Sequence, residues 1–129
     1  MDKIKAAIAD DSELIRHRLA QKLKRIPEIE LAWQTGDGRA AVEWFMRKRP
    51  DIMILDVQMP SMTGLEILQN LKPGKSGETV FIVLTNYPVE VVKRKCLEAG
   101  ADYFFDKTTE FEKIFEVIRS VSQNRAAEK

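Results

Sequence analysis

Pro50-Asp51-Ile52-Met53-Ile54-Leu55-Asp56-Val57-Gln58-Met59-Pro60-Ser61-Met62-Thr63-Gly64-Leu65-Glu66 is the stretch that decides how this chain folds. Ile52–Leu55 is apolar at every position, and a run without polar alternation suits a strand covered on both faces. Pro50 stops whatever precedes it. Asp56 ends the run, and a loop holding Met59-Pro60 and Gly64 leads into a helix over about Leu65–Leu71. A carboxylate therefore stands where a buried strand meets a loop. Asp10 and Asp11 stand in the same way after Ile4–Ala9, Thr85 after Val80–Leu84, and Lys107 after Ala101–Phe105. Open parallel sheets bind ligands at the carboxyl edge of their strands.

Working outward, short apolar runs alternate with longer amphipathic segments. A helix opens at Asp11 or Ser12 and runs to about Arg25. Ser12 is the better cap, because its hydroxyl can accept from a free backbone amide. Leu14, Ile15, Leu19, Leu23 and Ile26 recur at helical spacing as its inner face, while Arg16, Arg18, Lys22 and Lys24 mostly point elsewhere. Pro27 ends that helix. A strand over Ile29–Gln34 and a Gly36-Asp37-Gly38 turn follow. The spacing then predicts a helix over Arg39–Arg49 with Ala41, Val42, Phe45 and Met46 inward. Pro73–Gly77 reads as a surface connection. Pro88–Ala99 reads as a fourth helix, closed by Gly100 in the left-handed position. Glu110–Gln123 is the last helix and Asn124–Lys129 a polar, frayed tail, so the domain is expected over 1–123 with a tail over 124–129. Five strand–helix pairs imply an α/β fold, a parallel sheet with helices on both faces. Periodicity does not give the strand order.

The chain has 129 residues, 44% of them hydrophobic, which fits one domain around a sizeable core. Net charge is +1 with 32% charged residues, a balance that argues against a dedicated nucleic-acid or membrane surface. Cys96 is the one cysteine; it excludes an intramolecular disulfide, suits a reducing compartment and reads as buried packing. Met1-Asp2-Lys3-Ile4-Lys5 holds no long apolar region of the kind a secretion signal needs, and Val80–Leu84 is too short to cross a bilayer. A soluble, cytoplasmic protein is expected. His17 reads as a solvated surface histidine, Trp33 and Trp44 as packing residues, and Arg47-Lys48-Arg49 as a solvated face.

Three carboxylates gathered at one sheet edge repel one another unless a cation joins them. A hard divalent ion such as Mg²⁺ takes oxygen ligands and suits the cluster. The lysine then serves whatever anion the metal also binds, as at a phosphoryl-transfer site. Taken singly, the residues have plainer readings. Asp10-Asp11 would be a helix cap, Asp56 a turn acid and Lys107 a surface lysine.

Ala9-Asp10-Asp11, Ile54-Leu55-Asp56, Met59-Pro60, Gly64, Thr85 and Lys107, in that order on successive strand ends, resemble a response-regulator receiver domain of the CheY-like, stand-alone type used in two-component signalling. The resemblance covers nearly the whole chain, and residues 50–66 are its most specific part. It implies a flavodoxin-like, doubly wound five-stranded parallel sheet of order 2-1-3-4-5 flanked by five helices. It implies that Asp56 accepts a phosphoryl group from a phosphohistidine donor. Asp10, Asp11, Asp56 and the Gln58 backbone carbonyl would hold Mg²⁺ (or Mn²⁺). Lys107 and Thr85 would bind phosphoryl oxygens, and Phe104 is the position of the aromatic that turns when Thr85 is drawn inward. The donor would be a sensor histidine kinase or histidine phosphotransfer protein docking near Ile15. A downstream protein would read the change through residues 88–123. The chain would then catalyse only its own phosphorylation and dephosphorylation.

Three departures from the family pattern stand out. Thr108 replaces the proline that often follows the lysine, so that junction is expected to be trans. Asn86 stands where a small residue is usual and could narrow access to the phosphoryl group. Phe104 lacks a hydroxyl, which would leave the switch to packing. The competing readings are the amino-terminal module of a longer transcription regulator and a binding module of the same fold that is not phosphorylated. A phosphohydrolase of the haloacid-dehalogenase type is a further one, but it needs an acid where Gln58 stands.

Overall fold

The computed structural model describes residues 3–71, 78–86 and 89–127. Ten elements alternate along the described residues: β1 (Ile4–Ala9), α1 (Glu13–Leu23), β2 (Ile29–Thr35), α2 (Gly38–Arg47), β3 (Ile52–Asp56), α3 (Gly64–Leu71), β4 (Val80–Thr85), α4 (Glu90–Glu98), β5 (Tyr103–Asp106) and α5 (Phe111–Ala127). The strands form one parallel sheet in the order β2-β1-β3-β4-β5, the flavodoxin-like arrangement expected. The Pro73–Gly77 connection lies outside the described residues, as does Pro88; the fourth helix starts later than expected, at Glu90, because Val89 before it is extended.

Strand periodicity divides the core in two. Successive side chains point to opposite faces, so Ala6, Ile8, Ile52, Ile54, Ile82 and Leu84 meet α1 and α5 on one side. Ala7, Ala9, Met53, Leu55, Phe81 and Val83 face α2, α3 and α4 on the other. All five residues of β3 are buried, because it lies at the centre of the sheet. Each fully buried Ile, Leu or Phe contributes about 1.5–3 kcal/mol through apolar burial.

Several element ends differ from the sequence expectation. Helix α1 takes Ser12 as its cap, with the hydroxyl accepting from Ile15 N, and stops at Leu23. Leu14 is not on its inner face but 67% exposed. The buried stripe is Leu19, Ala20 and Leu23, and Leu14 lies one turn before Arg18, beside that stripe. Arg16 is half-buried rather than turned to solvent. Helix α2 begins at Gly38 under an Asp37 cap and stops at Arg47. Its Met46 is 70% exposed, sharing a stripe with exposed Arg39 and Glu43. Trp33 is buried and donates from Nε1 to Lys48 O at 2.9 Å. Trp44 stacks on it at 6.2 Å while staying partly exposed.

Strand β5 begins at Tyr103 rather than Ala101. Ala101 N still bonds Cys96 O, closing α4 behind Gly100, whose φ of 116° is the left-handed value expected there. Asp102 then makes the first contact with β4 through its carboxylate, which accepts from Phe81 N at 2.9 Å. Cys96 is buried, and burial pushes its thiol up.

The last helix continues through Asn124 to Ala127, past the expected end at Gln123. Ser122 is buried. Arg125 reaches the opposite end of the sheet from the candidate site, donating to Asp51 Oδ1 at 2.7 Å and to Glu78 O. The other Asp51 oxygen accepts from Lys5 N at 2.8 Å. A residue that reads as tail thus binds the foot of the sheet.

Candidate functional site

The strand order puts β1 beside β3, with the chain winding outward from them in both directions. That is the switch point where open α/β sheets form their crevice. Asp10 follows β1, Asp56 ends β3, Thr85 ends β4 and Lys107 follows β5. Asp10 N donates to Thr35 O at 3.0 Å and Lys107 N to Thr85 O at 2.8 Å, so the first residues of these loops stay tied to the sheet.

Asp10, Asp56, Thr85 and Lys107 are all buried, whereas Asp11 is exposed at the rim. Lys107 Nζ lies 2.7 Å from Asp10 Oδ2 and 3.3 Å from Asp56 Oδ2. Asp10 Oδ1 accepts from Ser12 N at 2.9 Å, and Asp56 Oδ1 from Gln58 N at 3.4 Å. Carboxylate oxygens of Asp10, Asp11 and Asp56 lie within 4.8 Å of one another. Burial raises Asp56 to about 7, and the charge of Asp10 adds to the rise against the opposing pull of Lys107. One ammonium does not compensate three acids.

The donor set fits a hard divalent ion. Asp10 Oδ2 is buried and, despite its short ion pair with Lys107, has no hydrogen-bond partner of proper geometry. Lys107 offsets only part of the negative charge of the three acids, and an oxygen-seeking cation would bind all three at once.

The raised Asp56 makes a pH prediction. The folded domain binds this proton up to about pH 7, whereas an unfolded chain releases it near pH 4. The folded state therefore holds more protons between those values, and stability falls as pH rises through them. Half-buried Asp37 and exposed Glu66 are lowered by hydrogen bonds from Ser61 and Thr63 and act only on the acid side of that window. The melting temperature of metal-free protein is expected to drop from pH 5 to pH 8, with the drop reduced by saturating Mg²⁺. A rising melting temperature in metal-free buffer would contradict this charge arrangement.

A profile of the response regulator receiver domain matches residues 6–119. The chain belongs to the receiver-domain family of two-component response regulators. The transcriptional regulatory protein YxjL of Bacillus subtilis (strain 168) is 27% identical over 125 residues, covering 97% of this chain and 57% of that protein. A protein-glutamate methylesterase/protein-glutamine glutaminase of Hydrogenovibrio crunogenus is 38% identical over 107 residues, 82% of this chain and 25% of that protein. The receiver domain thus spans little more than half of the first relative and about a quarter of the second. Among solved structures, the CheX-CheY-BeF3-Mg complex of Borrelia burgdorferi matches with a TM-score of 0.82 at 25% identity, covering 93% of this chain and 90% of that one. Among the described residues no helix is long and apolar enough to cross a membrane.

Of the other expected site residues, Gln58 is exposed directly after the Asp56 loop begins, and Phe104 is buried beneath the sheet edge in the α2–α4 half of the core. Asn86 is exposed beside Thr85, and the Lys107–Thr108 bond is trans. Sequence reading missed three residues. Arg16 Nη1 donates to Asp10 O at 2.6 Å, folding back over the first turn of α1 as helical side chains do. Asp106 and Glu110 bracket Lys107. The direction in which helical side chains lean could have found Arg16, and the Asp-x-x-x-Glu spacing around the lysine could have found the other two.

Proposed function

We propose that Asp56 is the phosphoryl acceptor of this receiver domain and that it takes its phosphoryl group from a phosphohistidine. The observation that carries the reading is the buried Asp56 carboxylate ending the central strand, 3.3 Å from Lys107 Nζ and grouped with two further acids. An Asp56 oxygen attacks phosphorus in line, the P–N bond to the donor imidazole breaks, and an acyl phosphate forms. Asp10, Asp11, Asp56 and the Gln58 backbone carbonyl would hold Mg²⁺ (or Mn²⁺), which when bound offsets the charge that phosphate brings to the carboxylate. Lys107 exchanges its contact with Asp56 for a phosphoryl oxygen, and the Thr85 hydroxyl takes another. Asp10, Asp56, Thr85 and Lys107 are buried, and such interactions count for more away from water than in it. Phe104, already in the core, is the side chain we assign to fill space vacated when Thr85 moves.

Exposed Leu14 and half-buried Ile15, at the site end of α1, are the surface we assign to the phosphohistidine donor. Val89, Val91, Leu97 and Tyr103 expose apolar surface along α4 and β5, and we assign the downstream protein to residues 88–123. The domain catalyses only its own phosphorylation and dephosphorylation, acts in the cytoplasm and makes no nucleic-acid contact of its own. The lengths of the relatives bear on a second reading, in which it is the amino-terminal module of a longer transcription regulator. A stop codon after Lys129 in the genomic reading frame would eliminate that reading.

Incubation with Mg²⁺ and acetyl phosphate is expected to add one phosphoryl mass, mapped by peptide fragmentation to Asp56. No adduct from acetyl phosphate or from a phosphohistidine protein would overturn the proposal.

A further inference from the structure

Lys107 delivers its ammonium from a turn that lacks the expected proline. Its long methylene stem is flexible in principle, so the position of Nζ depends on how firmly the turn holds the backbone. Among the described contacts, every backbone N–H from Asp106 to Glu110 is engaged. Lys107 N is held by Thr85 O on β4. Thr108 N and Thr109 N both donate to Asp106 Oδ1, at 2.7 Å and 3.2 Å. Asp106 N donates to Glu110 Oε1 at 3.0 Å, and Glu110 N returns a bond to Asp106 O at 3.0 Å. The two acids thus clasp the three residues between them. Lys113 Nζ, 3.0 Å from Glu110 Oε2, holds the second acid from the first turn of α5.

We propose that Asp106, with Glu110, is the positioning residue for Lys107, taking over in this chain the role of a rigid prolyl turn. This rests on Lys107 acting on the phosphoryl group as described above. Neither acid touches the reacting atoms. Asp106 Oδ1 fixes the two amides immediately after the lysine, and β4 fixes the amide of the lysine itself. The ammonium is thereby left with one reach, to Asp10 and Asp56. Small misplacements of a charge-neutralising group are costly in rate.

The test measures the rate of phosphorylation by acetyl phosphate at saturating Mg²⁺. Asp106→Ala is expected to slow it about tenfold, and Asp106→Asn, which keeps an acceptor oxygen, to restore most of the rate. In a Lys107→Ala background, Asp106→Ala is expected to have no further effect, the signature of one residue acting through another. An equal slowing with and without Lys107, or a wild-type rate in Asp106→Ala, overturns the positioning role. Absence of any adduct in the wild-type protein would instead strike at the phosphoacceptor reading. A readout independent of phosphorylation separates the two. Reductive methylation of Lys107, mapped by mass, should be slow in the wild type because the side chain is buried and several-fold faster in Asp106→Ala. Unchanged protection of Lys107 in that variant also overturns the proposal.

Discussion

Asp56→Asn is expected to abolish the phosphoryl adduct and, at the same time, to stabilise the metal-free domain at pH 8. The first effect follows because an amide oxygen does not replace a carboxylate as the attacking group. The second follows from the site's charge. Asp56 is raised to about 7, first by burial and then by Asp10, so above that pH the fold must hold a second buried negative charge beside Asp10. Asparagine keeps the shape and removes the charge, while Lys107 keeps Asp10 as a partner at 2.7 Å. A pKa unit corresponds to about 1.4 kcal/mol. Given solvent relaxation around the site, the gain at pH 8 should be about 1–3 kcal/mol by urea denaturation. The gain should shrink towards pH 5 and vanish only below about pH 4, where the unfolded chain also holds the proton, and Mg²⁺ should stabilise the wild type more than the variant. A variant less stable than wild type at both pH values would show that Asp56 carries no charge strain.

Gly64→Ala should damage fold and site together. A Cβ at Gly64 would lie 2.4 Å from Asp56 O, 3.0 Å from Val57 Cα and 3.1 Å from Asp56 C. All three are backbone atoms at the end of β3, so no side chain can swing aside. Gly64 N also donates to Val57 O at 2.7 Å, which ties the start of α3 to that strand end. The methyl must separate α3 from β3 or displace Asp56 itself. Overpacking of this kind costs about 1–3 kcal/mol, and displacement of Asp56, the proposed acceptor, should slow phosphorylation tenfold or more. Gly36→Ala is the control. Its nearest contact is Arg16 Nη1 at 2.6 Å, the far end of a flexible side chain, so its effect should be smaller. If Gly64→Ala phosphorylates at the wild-type rate with an unchanged urea midpoint, the collision is relieved by a movement that leaves Asp56 in place.

Much of this was legible along the chain because it is recorded locally. The apolar run Ile52–Leu55 and its terminal acid needed only a buried central strand to make sense. Ser12 announced a helix cap and Gly100 a helix end. The less legible parts share a cause. Leu14 and Met46 are apolar yet exposed, because each stands one position off a stripe whose edges only the packed neighbour defines. Asn124–Ala127 carry no apolar period, yet they are helical beside Arg125, which finds Asp51 across 74 positions of sequence. Arg16, read as solvent-facing, turns back to the carbonyl of Asp10.

Sequence alone determined the alternation of strands and helices and the placement of Asp10, Asp11, Asp56, Thr85 and Lys107 at strand ends, since side-chain periodicity and capping are properties of neighbouring residues. Only the tertiary structure decided that Lys107 bridges Asp10 and Asp56, that Asp10 Oδ2 lacks a proper hydrogen bond, and that Asp106 and Glu110 hold the lysine's turn. Those are distances between groups far apart in the chain, and burial, charge coupling and hydrogen-bond geometry come into being only when packing brings such groups together.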